Sequence, residues 1–566
     1  MTKIARVGVY VDRSYARQEW AYGLNVFSYY IYEILDHFRI PYKKINSYEE
    51  IDESAFDLVL AGLVPETREA MDHVWKYAEN GGTVLAFSNL NGLSKRLGHQ
   101  RGEKVLDGYG SFSEDKYRKL RVLKAIPWYS PEPNTHGEGI LSYGFSDVSP
   151  VFQSFQIGEG KLIRCSVDIA ETIVKLQQGV EPLFEDGFPA RDGTGAVDDG
   201  VLKVDDQLVL DWDKDRDRTS TGQPYFAIPY ADLWREVLIK KMVEICIADG
   251  QTLPFLGFWP AGIDCVALMS HDSDYNQDEH ALTTLELLDE AEIHSTWCMI
   301  LPGYSKEVYE KVIAGGHELA FHYNAVEADD GHWDRHEFKR QFETLKKNLP
   351  MVDIQSNKNH LTRFEGWGEL FEWCEENGIQ SDQTRGASKK GNLGFCCGSC
   401  HPYFPIAWSN DNNRIYDVLQ LGFLTPDMNT GKWSDDSIIE PLLDQVKAVN
   451  GVAHFLFHQI HLHRNENVRS AFKKFVKEAK KRNFVFWTGK QINEWERFRR
   501  TIHIDQLQSD GEFEFEGSTS NQAFVIYQPL TPKEEVQVTG KVVMFGIPCK
   551  RKIYKPKDVT QLGVNI

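Results

Sequence analysis

No stretch of this 566-residue chain comes near the roughly 18 consecutive apolar residues that a membrane span needs. Its beginning, "MTKIARVGVYVDRSYARQEW", has neither the long apolar centre nor the small-residue cleavage site of a secretory leader. A cytoplasmic protein with no membrane partner is therefore expected. Basic residues are in the minority: 63 Lys and Arg stand against 83 Asp and Glu, for a net charge of −20. No compact Lys/Arg run offsets this, and nucleic-acid binding rests on a basic face, so no nucleic-acid partner is expected. The nine cysteines are odd in number and follow no regular framework, which excludes a disulfide scaffold and fits reduced thiols. "CCGSC" (396–400) has no second Cys/His pair at finger spacing and reads as packed thiols in a loop. Internal repeats and low-complexity tracts are absent too.

What is there is enough chain for two to four domains, 42% of it hydrophobic and 12% aromatic. "ARVGVYVD" (5–12), "FDLVLAG" (56–62) and "TVLAFSNL" (83–90) read as buried strands, alternating with helices at "GLNVFSYYIYEILDHF" (23–38) and "TREAMDHVWKYAENGG". Strand–helix–strand order with near-continuous apolar strands implies a parallel sheet covered on both faces. The arrangement resembles a class I glutamine-amidotransferase-like domain of the flavodoxin type. The strand–helix elbow after "TVLAFSNL" has no cysteine, and Ser88 lacks Gly-x-Ser-x-Gly surroundings, so residues 1–252 are expected to be a non-catalytic accessory domain. The Gly/Asp-rich stretch 183–223 reads as a solvated excursion. Its "DWDKDRDRTSTG" does not fit the Glu and Gly positions of a calcium loop. The helix "YADLWREVLIKKMVEICIADG" (230–250) hands over to the next β/α region, 253–500. After 503 the period becomes two, and residues 501–566 are expected to form a small antiparallel β module.

The chemistry concentrates at strand ends between 253 and 500. "CVALMSHDSDY" (265–275) is an apolar strand running into Asp272 and Asp274, two carboxylates at i and i+2 beyond the strand's carboxyl end. That edge is where α/β barrels place their active residues. One acid of such a pair can bind a cation while the other stays free as a base. "GGHELAFHYNAVE" (315–327) puts His322 at the end of the next strand, level with the Asp pair, and His317 at its start, where a structural role is expected. "NKNHLTRFEGW" (357–367) brings His360 and Arg363 together with Trp367 nearby. Asp382 ends a further strand in "GIQSDQTRG", and "GFCCGSCHPYFPI" (394–406) carries His401 and Tyr403 in a loop suited to lining a pocket. Last, "GVAHFLFHQIHLH" (451–463) is a strand ending near His458, with His461 and His463 in the loop beyond.

An Asp-bearing strand end, "GHE…H", an Arg-bearing turn and a late "FxFH", in that order, resemble the polysaccharide deacetylases, the NodB-homology carbohydrate esterases. The likeness covers about 260–500 and is nearest to the branch writing its first motif His-Asp-x-Asp, with a loop like "GFCCGSCHPYFP". It implies a distorted (β/α) barrel, with Asp272 as general base, Asp274 and His322 as metal ligands, Arg363 orienting the base and His458 as general acid. The family's second metal histidine falls on Val326. A catalytic divalent site commonly takes three protein ligands. His360, on a turn that should reach the same rim, is expected to be the third, with Asn324, Glu327 and His401 behind it. The expected cofactor is a divalent metal, zinc first, with cobalt, nickel or manganese as alternatives. Trp367, Asp382, His401 and Tyr403 are expected to contact substrate, an oligosaccharide or precursor bearing an acylated amino sugar. Two alternatives stay open: a degenerate NodB-like carbohydrate-binding protein, and a metal-dependent amidase or esterase acting on a non-sugar substrate. A homo-oligomer is not excluded.

Overall fold

Val7–Val11, every residue of it buried, is the second strand from one edge of a nine-stranded mixed sheet. The computed structural model describes residues 2–51, 55–130, 137–144, 146–195, 200–517 and 522–555. On one side of Val7–Val11 lies Lys43–Ile45, and on the other Leu58–Leu63, Thr83–Phe87 and Gly160–Cys165, all parallel. Beyond Gly160–Cys165 the sheet turns antiparallel through Ser146–Ile157, Gly137–Tyr143, Gly108–Ser111 and Leu120–Val122. The sequence showed the parallel part only. The antiparallel strands alternate half-exposed and polar residues, so they carry no continuous apolar run. Helices formed where the amphipathic pattern placed them, Arg68–Glu79 behind a Thr67 cap and Tyr30–Phe38, but Arg13–Ala21 is a further helix whose polar composition hid it.

The second sheet has eight strands, all parallel, in the order Leu419–Gln420, Ser381–Asp382, Ser356–Asn359, Glu318–Tyr323, Thr296–Met299, Cys265–Asp272 and Val452–Leu456, with Phe484–Phe486 beside the start of Cys265–Asp272. Its two edges meet. Leu424 N–H donates to the His454 carbonyl and Leu456 N–H to that of Thr425, both at 2.9–3.0 Å. Strands buried on both faces read as continuous apolar runs, as "CVALM" does. Helices Asp278–Ala291, Lys306–Ala314, Arg335–Asn348, Glu369–Asn377, Ile439–Val449 and Glu466–Lys481 follow strands around the outside.

Helix Tyr230–Ala248 is buried on nearly every side, with Trp234 and the charged Asp232, Arg235 and Glu236 all enclosed, and its buried charges are paired: Asp232 with Arg235 and Glu236 with Lys116. A four-stranded antiparallel sheet, Phe255–Leu256, Phe524–Pro529, Ile547–Tyr554 and Val542–Met544, joins the beginning of the 253–500 region to the last part of the chain. Residues 518–521 and 556–566 of the expected β module lie outside the described residues.

The stretch 183–223 is not a solvated excursion. Leu183 and Gly366 exchange backbone hydrogen bonds at 2.8 Å, Phe364 N–H donates to Leu202, and Gly195 N–H donates to Lys390. The Asp205 carboxylate accepts from Ser388 N–H and Oγ–H, Lys389 N–H and Asn392 Nδ2–H. The segment is a strap on the loops after the Ser356–Asn359 and Ser381–Asp382 strands, fastened by backbone groups and one buried carboxylate rather than by a large apolar face. Composition cannot show that kind of fastening. Residues 196–199 of the stretch lie outside the described residues.

Candidate metal and acid–base centre

The parallel register fixes which side chains share a level. Asp272 is paired with Cys298, and His322 with Lys358, at the carboxyl ends of their strands. His360 opens the turn after Ser356–Asn359, and His458 follows Val452–Leu456. Five elements thus deliver Asp272, Asp274, His322, Lys358, His360 and His458 to one end of the closed sheet.

Three donors converge without a hydrogen-bond partner. His322 Nδ1–H donates to the Lys358 carbonyl at 2.8 Å, which leaves Nε2 as the lone-pair nitrogen. That Nε2 lies 3.4 Å from Asp274 Oδ1, and His360 Nδ1 lies 3.5 Å from the same oxygen. All three atoms are buried and unpartnered. Two donors on one tetrahedral ion, with bonds of about 2.1 Å, stand about 3.4 Å apart. These residues fit a divalent cation: the spacing is right, the tautomer of His322 is set by a backbone acceptor, and the set is the N,N,O type that zinc and its neighbours take. His360 Nε2 faces Asp329 Oδ2 at 3.6 Å across the turn that follows Val326. Val326 itself is buried and leads into the short helix Glu327–Asp329. The backbone here is unusual. Leu361 and Thr362 both have positive φ, 53° and 56°, a conformation costing about 1–2 kcal/mol per residue and one that over-determined functional turns tolerate.

On one side of this set stands Asp272. Burial works against its ionisation, but the Lys358 ammonium, 3.2 Å from Oδ2, outweighs it together with protonated His458, and the carboxyl is held below its ordinary range. Lys358 is wholly buried over the Phe423 ring and has no hydrogen-bond partner, so Asp272 is its charge partner. Burial likewise opposes ionisation of Asp274, yet the His458 cation holds it well below the usual carboxylate range. On the other side, His458 Nδ1 bonds the Asp427 carboxylate, whose second oxygen accepts from the His458 N–H at 2.9 Å. Its Nε2 faces Asp274 at 3.7 Å and Asp272 at 3.8 Å. Burial would lower its pKa, but Asp427, Asp274 and Asp272 raise it to about 9. His458 is therefore a cation at neutral pH, aimed at two anions. Trp433 stacks parallel to its ring, centroids 6.4 Å apart.

Other expected residues lie elsewhere. The Arg363 guanidinium is turned to Glu327, Glu365 and the Ala325 carbonyl, and the cation against Asp272 is Lys358. Arg363 follows two left-handed residues, which swing it away from the strand axis that Lys358 shares with His322. Trp367 is buried against Phe27 and Trp408 with its indole N–H on Ile406. Tyr403 is buried under Arg235. His401 donates from Nε2 to the Val449 carbonyl, with Nδ1 3.3 Å from His37. It sits beside the start of the Val452–Leu456 strand, the opposite end from His458. Asp382 is fully buried, bonded by Asn357 and Thr384, and pushed above the usual carboxylate range by burial. None of these four faces the cluster; they are packing and hydrogen-bonding residues. His317, as expected, sits at the start of its strand and accepts from Ser295 N–H. His461 and His463 lie not in a loop but on helix Gln459–Arg464, with the His461 ring 5.7 Å from His458. Cys396 and Cys400 are buried free thiols.

Two residues escaped the sequence reading. Lys358 hides in the polar strand "SNKN", and Asp427 in "LTPDMN" after the strand that closes the sheet. The signal available for both was position: each lies at or just past a strand's carboxyl end.

No family model matches the sequence, and no curated protein matches it. Solved structures do. A Mycobacterium smegmatis protein assigned as a polysaccharide deacetylase shares 18% identity over 42% of this chain and 92% of its own, with a TM-score of 0.32. A Bordetella bronchiseptica protein, assigned as a polysaccharide deacetylase of O-antigen biosynthesis, shares 16% over 38% and 90%, with a TM-score of 0.26. The β-galactosidase of Bacillus circulans sp. alkalophilus shares 14% over 30% of each chain, with a TM-score of 0.23, so this chain spans under a third of that enzyme.

Proposed function

We propose that the chain is a metal-dependent hydrolase that removes the N-acetyl, or a related acyl, group from an amino sugar in an oligosaccharide or its precursor. The observation that carries the reading is the set of three unpartnered donors on Asp274, His322 and His360, flanked by a carboxylate kept ionised and an imidazole kept protonated. A divalent cation held there, zinc first, supplies Lewis acidity toward the amide carbonyl. Asp272, ionised beside Lys358, accepts a proton from the water that attacks the carbonyl carbon. His458, held by Asp427, donates a proton to the amine nitrogen as the carbon–nitrogen bond breaks, leaving acetate and a free amine. This assignment needs pKa values pushed apart, and the two environments do that: a cation against the base, three carboxylates around the acid. Tyr275, next to Asp274 and 61% exposed, is the aromatic we assign to the sugar face.

In this reading residues 253–500 form the catalytic barrel of NodB type, 1–252 an amidotransferase-like accessory domain and 501–566 a β module, in a cytoplasmic protein. No described helix is long and apolar enough to cross a membrane. The test is acetate release from N-acetylated chito-oligosaccharides by zinc-loaded protein, compared with D272N and H458A. Turnover by wild type and a loss of at least a hundredfold in both variants is expected; equal activity in D272N sinks the assignment.

A further inference from the structure

At the amino end of the closed sheet, opposite the Asp/His cluster, a groove of about 990 Å³ lies between helices Arg13–Ala21 and Tyr30–Phe38 on one side and the 404–417 loop with helix Gly489–Arg500 on the other. One wall is the carboxyl edge of Val7–Val11 and Lys43–Ile45, where the chain continues into Arg13 and Asn46. That edge of an open parallel sheet is where α/β folds bind ligands. Arg13, Arg17 and Lys44 are exposed there, and among the described residues Arg13 and Arg17 form no ion pair. The acids nearby are already engaged. Glu33 holds Arg500 and the Phe404 N–H, Asp36 accepts from Tyr42, and Asp417 holds Arg497. The groove is thus locally cationic in a chain of net charge −20.

Its floor is aromatic. Trp20 and Tyr29 are half-buried with centroids 5.2 Å apart, Tyr29 meets Tyr32 edge-on at 5.8 Å, and the Lys44 ammonium sits 4.4 Å over the Tyr32 ring. Asn413, on the far wall, fixes the near one: its Oδ1 accepts from the Trp20 indole at 2.8 Å and from Val26 N–H at 2.7 Å. The two walls are therefore held at a set spacing before any ligand arrives. Unpaired guanidinium groups recognise carboxylate and phosphate oxygens in a bidentate way, and a half-exposed indole and phenol take the apolar face of a ring.

We propose that this groove binds a sugar bearing an anionic group, phosphate or carboxylate, with Arg13 and Arg17 on the anion and Trp20 and Tyr29 on the ring. The site does not depend on the hydrolase reading, because it shares no residue with the Asp/His cluster. The full chain is titrated with glucose 6-phosphate, galacturonate, glucose and inorganic phosphate, following heat and tryptophan fluorescence. One of the two anionic sugars binds, and which one identifies the anion; glucose does not bind, and inorganic phosphate binds at least tenfold more weakly than the sugar phosphate. R13A/R17A, which alters only exposed side chains, weakens binding at least tenfold, W20A weakens it with the fluorescence change lost, and D274N leaves it unchanged. Absence of binding by both anionic sugars, undiminished affinity in R13A/R17A, equal affinity for inorganic phosphate, or loss of binding in D274N each overturns the proposal.

Discussion

The ammonium of Lys358 lies 3.2 Å from Asp272 Oδ2, and both side chains are buried. A buried cation with one carboxylate for company stabilises the ionised carboxylate strongly, because little solvent screens the pair. Replacing Lys358 by Met removes the largest charge that opposes burial, and burial favours the neutral acid. The acid limb of kcat/KM for deacetylation is expected to move up by a unit or more, with a rate loss of at least tenfold at pH 6. Lys358→Arg should restore part of it. Arg363→Ala should leave the limb where it is; a shift there would return the orienting role to Arg363.

Metal content reads the donor set directly. Zinc-dialysed protein is expected to hold about one ion per chain, and His322→Ala and His360→Ala to hold a small fraction of that, by elemental analysis. Binding to the folded state alone also raises Tm, by about 2.7 kcal/mol of stabilisation at a hundredfold excess over Kd. Both variants should lose that zinc-dependent rise. Undiminished zinc in His360→Ala would mean that the third ligand comes from elsewhere.

The alkaline limb belongs to His458. Its pKa is raised to about 9 from the ordinary 6.5, chiefly by Asp427 against the opposing effect of burial, so the proton donor is present below about 9 and lost above it. Activity should fall as pH rises through that value. The same shift contributes stability that is complete below 6.5 and disappears as pH rises through about 9. Asp427→Asn removes one of the three carboxylates, so the limb should move toward neutrality. A limb unmoved in Asp427→Asn would show that another group titrates.

Asp205 ties the strap down with four donors around one carboxylate. Asp205→Ala leaves those donors, several of them buried, without an acceptor, at a cost of about 2–4 kcal/mol. Chemical denaturation should show that loss, and limited proteolysis should cut between 183 and 223 well before any global unfolding. If the cleavage pattern matches wild type, the carboxylate is not what fastens the segment.

How much of this could be read from the sequence follows the physics of each element. "CVALM" and "VAHFL" announce themselves as strands because both faces are buried, and the parallel sheet then places Asp272, Asp274, His322 and His458 at one end. His360 was legible for the same reason: it opens the turn after a strand, and the fold brings it to Asp274. Arg363, three residues on, was expected to join it. The left-handed pair Leu361 and Thr362 sends it instead to Glu327, and no spacing rule contains that reversal. Trp367 looked like a pocket residue because it follows His360 and Arg363, and His401 and Tyr403 because Gly/Pro-rich loops often line pockets. Here Phe27 and Trp408 cover Trp367, and helices Tyr30–Phe38, Ile169–Gln178 and Tyr230–Ala248 cover His401 and Tyr403; contacts between segments hundreds of residues apart leave no local trace. Lys358 was missed because a lysine inside a strand is ordinarily solvated, and only tertiary structure shows it enclosed.

The ribbon formed by Phe255–Leu256 and Phe524–Pro529 has a consequence for synthesis. Phe255 and Leu256 leave the ribosome about 270 residues before the strand they pair with. Over that interval they present an apolar, unpaired backbone edge at the point where the closed sheet begins. The completed chain therefore folds under a constraint of order: whatever shape the 253–500 region takes while nascent, its first strand is capped only after residue 529 emerges. A stop codon shortly before that point would leave every proposed catalytic residue in place and this edge uncovered, a fragment whose failing would be association with its own kind rather than a lost active site.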